Sequence, residues 1–248
     1  MKLFIVFLVV ISFLASVFAA EEKQELSYYL IGNSLTWDTV PSKLDGDTQW
    51  HVDCGKSLPF IFENPAAPCV ATSTLWPAAL KEKQYDYLAL QVHYGSQLAE
   101  DAAVIGSLIE MQPGAIVVIH TGWARSSSRE EEYNRVDADG EMQHSAAYFD
   151  ALLKLLKKVY PTREFRLSRA QDLLNRIAED VKSGTAPLES VEALHRDKIH
   201  MDIVTGRYLM HNAMRHALDQ PRSKVGFDKI SGEVKIYLDS VLDEVLER

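Results

Sequence analysis

Cysteine is scarce in this chain: two residues in 248, Cys54 and Cys69. That excludes a four-cysteine zinc or iron–sulfur site and a disulfide-dense small scaffold. The eight histidines form no His-Glu-x-x-His signature, so no catalytic metal and no cofactor is expected. Basic residues are in deficit, with 26 Lys and Arg against 35 Asp and Glu, a net charge of -9. An acidic surface repels phosphate backbones, so nucleic acid is not an expected partner. After residue 20, no apolar run approaches the roughly 20 residues that a bilayer-spanning helix needs. There is no internal repeat and no low-complexity tract.

The long apolar run that does occur stands at the start. Met1-Lys2 is positive, Leu3 to Leu14 is almost unbroken apolar sequence, and Val17-Phe18-Ala19-Ala20 supplies small residues before Glu21-Glu22. This is the pattern of a secretory signal peptide. Residues 1–20 are therefore read as a signal peptide and residues 21–248 as a single domain, exported to a periplasmic or extracellular space. No cysteine stands at the cleavage site to be lipidated. In an oxidising compartment Cys54 and Cys69 are expected to pair, the alternative being two free thiols.

Short apolar runs alternate with amphipathic segments, the pattern of βαβ units. Strands are predicted at Ser27–Ile31, Thr48–Val52, Tyr87–Val92, Ala115–His120 and, more weakly, Glu164–Leu167. Helices are predicted at Leu75–Lys83, Ala99–Met111, Ala146–Val159, Ala170–Lys182, Thr205–Leu218 and Glu233–Leu246. Strands separated by helices imply an α/β fold, a mostly parallel sheet covered on both faces. Ligands of such sheets bind beyond the carboxyl ends of the strands. Gly32, Gly55, His93 and His120 all fall at or just past predicted strand ends and so gather on one rim. The polar stretch Ser126–Gln143 reads either as a lid or as a solvated surface loop.

Two pieces of that rim carry chemistry. In Gly32-Asn33-Ser34-Leu35-Thr36 a serine directly follows a buried strand. A serine hydroxyl is a weak nucleophile until a base removes its proton, and that base is usually histidine oriented by a carboxylate. Asp197-Lys198-Ile199-His200 is the sole Asp-x-x-His in the chain. Its spacing of three lets the two side chains meet within one turn. After the fourth strand, His120, Trp123 and Arg125 are candidates to shape a substrate pocket, Trp123 by stacking on a sugar or acyl group and Arg125 by meeting an anionic group.

Together, Gly-Asn-Ser-Leu-Thr after the first strand and Asp-x-x-His before the penultimate helix make the chain resemble the SGNH hydrolases, the GDSL esterase and lipase family. The resemblance runs from Tyr28 to about Leu218. It implies a flavodoxin-like three-layer α/β/α fold and a serine ester hydrolase in which Ser34 is the nucleophile and Asp197 and His200 complete a triad; with the signal peptide, that makes a secreted serine ester hydrolase. Gly55 matches the family's second-block glycine, whose N–H enters the oxyanion hole. The third block departs from the family: where Gly-x-Asn-Asp is expected, this chain reads Gln91-Val92-His93-Tyr94-Gly95. His93 falls where the asparagine donor should be, with Gln91 as the near alternative. The family's substrates include acetylated sugars, lipids and thioesters, and export with Trp123 favours O-acetyl groups on a carbohydrate. The missing asparagine motivates one alternative, a non-catalytic ligand-binding protein on the same scaffold. The sequence is silent on oligomeric state.

Overall fold

The computed structural model describes residues 25–247. The signal peptide read at residues 1–20 lies outside them. Five strands form one sheet: β1 (Ser27–Gly32), β2 (Asp47–Val52), β3 (Tyr87–Gln91), β4 (Ile116–His120) and β5 (Phe165–Leu167). They lie in the order β2-β1-β3-β4-β5, every neighbouring pair parallel. This is the flavodoxin-like order, whose switch point falls between β1 and β3.

The helices are α1 (Ser34–Asp38), α2 (Leu58–Glu63), α3 (Trp76–Glu82), α4 (Leu98–Met111), α5 (Arg129–Tyr133), α6 (Ala146–Val159), α7 (Ala170–Ser183), α8 (Thr205–Ala217) and α9 (Gly232–Leu246). Alternation along the strands sends their side chains to two faces. Tyr29, Ile31, Leu88, Leu90, Val117 and Ile119 pack on α2, α3, α4 and α6. Tyr28, Leu30, Tyr87, Ala89 and Val118 face the other way, toward Met214 and Ala217 of α8. A further apolar body joins α7, α8 and α9 through Leu173, Ile177, Leu209 and Leu242. The result is three layers, α/β/α. β1, β3 and β4 read as largely apolar runs because both of their faces are covered, whereas the edge strands β2 and β5 are partly exposed and more polar.

α6 shows how local sequence makes these elements. Ser145 caps it by accepting from the Tyr148 N–H at 3.2 Å, and Tyr148, Phe149, Leu152 and Leu156 form its buried stripe. Each such side chain contributes about 1.5–3 kcal/mol of burial, and the helix stops one residue short of Tyr160-Pro161. α1 and α2 are absent from the sequence reading. They are five and six residues long, too short for a helical period to show.

Cys54 and Cys69 are joined in a disulfide, with Cα atoms 5.6 Å apart across 15 residues. In the chain-entropy model a loop of this size stabilises by about 3 kcal/mol. The stretch Ser126–Gln143 is largely a solvated surface segment, anchored at Glu132 and near its end by Met142. Met142 is fully buried, its N–H donates to Ser96 O at 2.8 Å, and Gln97 and Glu141 form an antiparallel bridge. No helix among the described residues is long and apolar enough to cross a membrane.

Candidate active site

β1 ends at Gly32, and the chain turns at once into α1. Asn33 is the N-cap: its Oδ1 accepts from the Leu35 N–H at 2.9 Å. Ser34 is therefore the first helical residue, and it sits half-exposed at the rim of the sheet. Gly32 is required by close approach. A Cβ there would lie 2.1 Å from Thr36 Oγ1 and 2.7 Å from Gln91 Cβ. The Asn33 amide donates to Lys56 O at 3.1 Å, and the Asp53 N–H donates to Gly32 O at 3.0 Å. These two bonds fasten the turn after β1 to the turn after β2, which carries Gly55.

Asp197 and His200 sit on the tip of a small hairpin. Its stem is the antiparallel bridge between His195 and Met201, and the Arg196 N–H donates to His200 O at 2.9 Å. Asp197 Oδ1 accepts from the N–H groups of Ile199 (2.9 Å) and His200 (2.8 Å), and its Oδ2 lies 2.8 Å from His200 Nδ1. Desolvation pushes the Asp197 carboxyl up. The His200 and Ile199 N–H groups and the His200 ring outweigh it, and the carboxyl stays well below the usual carboxylate range. On its other side the ring reaches Ser34: His200 Nε2 is 2.9 Å from Ser34 Oγ. With the Nδ1–H given to Asp197, Nε2 accepts from the serine hydroxyl. Residues 166 apart in sequence thus form one continuous chain Asp197–His200–Ser34.

The fold is a three-layer α/β/α fold with the flavodoxin-like strand order. In it the serine at the end of β1 and the Asp-x-x-His hairpin just before α8 stand where the resemblance to the SGNH hydrolases leads one to expect them. No family model matches the sequence, and no curated protein matches it. Similar solved structures include a GDSL-like lipase from Parabacteroides merdae ATCC 43184, over 79% of this chain and 96% of that one, at TM-score 0.47 and 14% identity. Salicylyl-acyltransferase SsfX3 from a tetracycline biosynthetic pathway aligns over 80% of this chain and 55% of its own, at TM-score 0.47 and 11% identity. Phospholipase A1 from Streptomyces albidoflavus NA297 aligns over 71% and 92%, at TM-score 0.32 and 12% identity. At these identities and TM-scores the likenesses carry no conclusion about this chain's activity.

The other predicted residues of the rim divide. Gly55 is exposed, in the left-handed region at φ +70°, next to the disulfide-bonded Cys54. Among the described residues its N–H and that of Ser34 donate to no other protein group. Gln91 does not reach the rim. It is buried under the serine turn, where Oε1 accepts from Asn33 N (3.0 Å), Thr36 N (2.9 Å) and Thr36 Oγ1 (2.6 Å), and Nε2 donates to Asn33 Oδ1 at 2.8 Å. An oxyanion role for Gln91 gives way to a structural one, because its amide is already committed.

His93 is 7% exposed, its ring packed on Tyr94 and edge-on to His144, with Nδ1 buried and unpartnered. Burial lowers it to about 3; His144, Arg125 and His200 push the same way, and Glu132 opposes them. At ordinary pH this imidazole is neutral. Behind it, Glu132 accepts from Tyr94 Oη at 2.7 Å, Ser128 Oγ at 2.5 Å and the His144 N–H at 3.2 Å. Burial raises the Glu132 carboxyl, but the bonds from His144, Ser128 and Tyr94 win and hold it at about 2.

Two of the three predicted pocket residues are not in a pocket. Trp123 is fully buried among Leu35 and the α7–α9 side chains, and its indole N–H donates to Ile199 O at 2.6 Å. It braces the hairpin tip from below instead of stacking on a ligand. His120 is 1% exposed, with Nδ1 2.8 Å from Ser168 Oγ, and burial pushes its ring down to about 3. The physical reason is shared: the loop after β4 folds inward beneath α1 and the hairpin. Arg125 alone is exposed. It lies over the Tyr94 ring and beside a cavity of about 280 Å³ lined by Tyr94, Arg125, Ser128, Glu132, Glu141 and Gln143. The next residue, Ser126, donates its N–H to Lys198 O at 2.9 Å, which places this cavity beside the hairpin.

Proposed function

We propose that this chain is an exported serine ester hydrolase that removes small acyl groups from hydroxyl-rich alcohols such as carbohydrates. The observation that carries the reading is the chain Asp197–His200–Ser34, with links of 2.8 and 2.9 Å. Ser34 Oγ attacks the ester carbonyl while His200 Nε2 takes its proton. Asp197 fixes the tautomer and stabilises the imidazolium. The N–H groups of Ser34 and Gly55 serve the oxyanion, and a neutral His93 is the candidate for the third donor, since a neutral imidazole keeps one N–H. His200 returns the proton to the leaving alcohol, and the acyl-enzyme is then resolved by a water that His200 activates.

The carbohydrate preference is supported by the cavity beside the hairpin. Carboxylate, amide, hydroxyl and guanidinium groups line it, which suit ring hydroxyls better than an alkyl chain. Export rests on residues 1–20 and accords with the disulfide.

The test is hydrolysis of nitrophenyl acetate by the pure protein, with Ser34→Ala as the control. The variant is expected to be inactive yet fold with an unchanged unfolding midpoint. Covalent labelling by a fluorophosphonate at any serine other than Ser34 would sink the mechanism. Equal rates on nitrophenyl palmitate, with no acetate released from acetylated sugars, would remove the carbohydrate preference.

A further inference from the structure

The hairpin that carries Asp197 and His200 is tied to the helix that carries Ser34 by one side chain. Asp38 is the last residue of α1, four after Ser34 and so one helical turn along the same side. Its carboxylate is fully buried. Oδ1 accepts from Arg196 Nη1 at 2.9 Å and from Arg207 Nε and Nη2 at 3.0 and 2.8 Å. Oδ2 accepts from the Met201 N–H at 2.8 Å. Arg196 directly precedes Asp197, and Met201 directly follows His200. Both strands of the hairpin stem therefore end on the same carboxylate, and Arg196 Nη1 also donates to Met201 O, which closes the stem.

Two distances matter for proton transfer, and they have different origins. The Asp197–His200 contact is internal to the hairpin tip, held by the Ile199 and His200 N–H groups. The His200–Ser34 contact spans two elements, and nothing inside the tip fixes it. Trp123 and Ser126 hold the tip from the β4 side. Asp38 holds the stem from the α1 side.

Resting on the serine-hydrolase reading above, we propose that Asp38 is a positioning residue. It touches no reacting atom, but it sets the separation between Ser34 Oγ and His200 Nε2 by clamping the hairpin stem to the nucleophile's own helix. Chemistry favours a carboxylate here. Four donors converge on it, and an amide of the same shape would turn its NH2 toward at least one of them. Misplacement of reacting groups by about 1 Å costs about 100-fold in rate.

The experiment is Asp38→Asn assayed on nitrophenyl acetate across pH, with crystal structures of wild type and variant. The expected result is a kcat about 10- to 100-fold lower and a KM within about two-fold. The acid limb of kcat/KM should keep its midpoint, because the Asp197–His200 pair stays intact. Asp197→Asn, in contrast, should move that midpoint. The crystal structure of Asp38→Asn should show the Ser34–His200 separation lengthened and the Asp197–His200 bond kept. If Asp38→Asn does not fold, Arg196→Gln decides, since that side chain is one-third exposed and its loss severs one arm of the clamp with the same kinetic pattern. A folded variant with kcat within three-fold of wild type would overturn the clamp. So would an acid limb that shifts together with kcat, or an unchanged Ser34–His200 separation. Wild-type protein that is inert to the ester and unlabelled by a fluorophosphonate would overturn the hydrolase reading instead, and the crystallographic separation still tests the clamp directly.

Discussion

Replacing Gln91 by leucine separates a structural from a catalytic role at the altered third block. The two side chains are close in volume, so the change removes hydrogen bonds with little change in packing. Gln91 Oε1 takes the N–H groups of Asn33 and Thr36 and the Thr36 hydroxyl, all in a buried turn. The Thr36 hydroxyl can rotate toward another acceptor, but the two backbone donors cannot. A buried donor left without a partner costs about 1–3 kcal/mol, which puts Gln91→Leu at about 3–5 kcal/mol. That is a large share of the 5–15 kcal/mol that typically holds a domain together. With a urea slope near the upper end of about 1–3 kcal/mol per molar, the unfolding midpoint should fall by about 1–2 M. Gln91→Glu should not rescue it, because a carboxylate oxygen would then face Asn33 Oδ1, where the amide now donates at 2.8 Å. The assay is urea denaturation followed by fluorescence, with turnover measured in parallel below the transition. A midpoint within about 0.3 M of wild type would refute the reasoning. If turnover nevertheless collapsed, Gln91 would be a donor to the reaction after all.

Two further outcomes are expected. His93→Ala should lower kcat on an activated ester by about 100-fold if His93 is the third oxyanion donor. A histidine that kept its ordinary value would shape the acid limb of the pH profile, but a ring lowered to about 3 by burial does not titrate in that range. The limb should therefore be the same in wild type and variant, and a loss of only a few-fold would remove His93 from the oxyanion hole. Stability should decline as pH falls below about 6.5. His51, His93, His120, His144, His195 and His211 are all pushed down by burial. Between their folded values and 6.5 the unfolded chain binds more protons, so the stability present above 6.5 is lost on acidification, at about 1.4 kcal/mol per pH unit for each fully depressed ring. Asp101 works against one of them. Burial, opposed by bonds from Tyr148 and Ser96, raises it to about 7, so the folded chain keeps a proton that the unfolded chain releases above about 3.8. Urea midpoints at pH 8, 7, 6 and 5 measure the balance, and a flat series would contradict it.

The strands and the longer helices were legible because each declares its own period or apolar run. β1 to β5 begin and end within a residue of the predicted segments, and α6 coincides with its prediction from Ala146 to Val159. Legible too were the local halves of the candidate site. A serine at a strand end and an Asp-x-x-His turn are short-range patterns, and the structure sets them 2.9 Å apart. Cys54 and Cys69 are paired, as expected of the two cysteines.

What the sequence by itself determined about this protein is the strands and the longer helices, the kind of sheet they build, and the two short motifs that hold the candidate serine, imidazole and carboxylate. Tertiary structure alone decided what each rim residue faces. Trp123 reads as a stacking surface in sequence, yet its indole is buried against Ile199, 76 residues on. Gln91 reads as an oxyanion donor, yet its amide is taken by a turn 58 residues earlier. Asp38 carries no signal at all in sequence, because its partners Arg196, Met201 and Arg207 lie 158, 163 and 169 residues away. The physical reason is common to all three. Secondary structure follows from periodicity within a few residues of the chain, whereas burial and hydrogen-bond partners depend on which distant segments the packing of α1, α8 and the hairpin brings together.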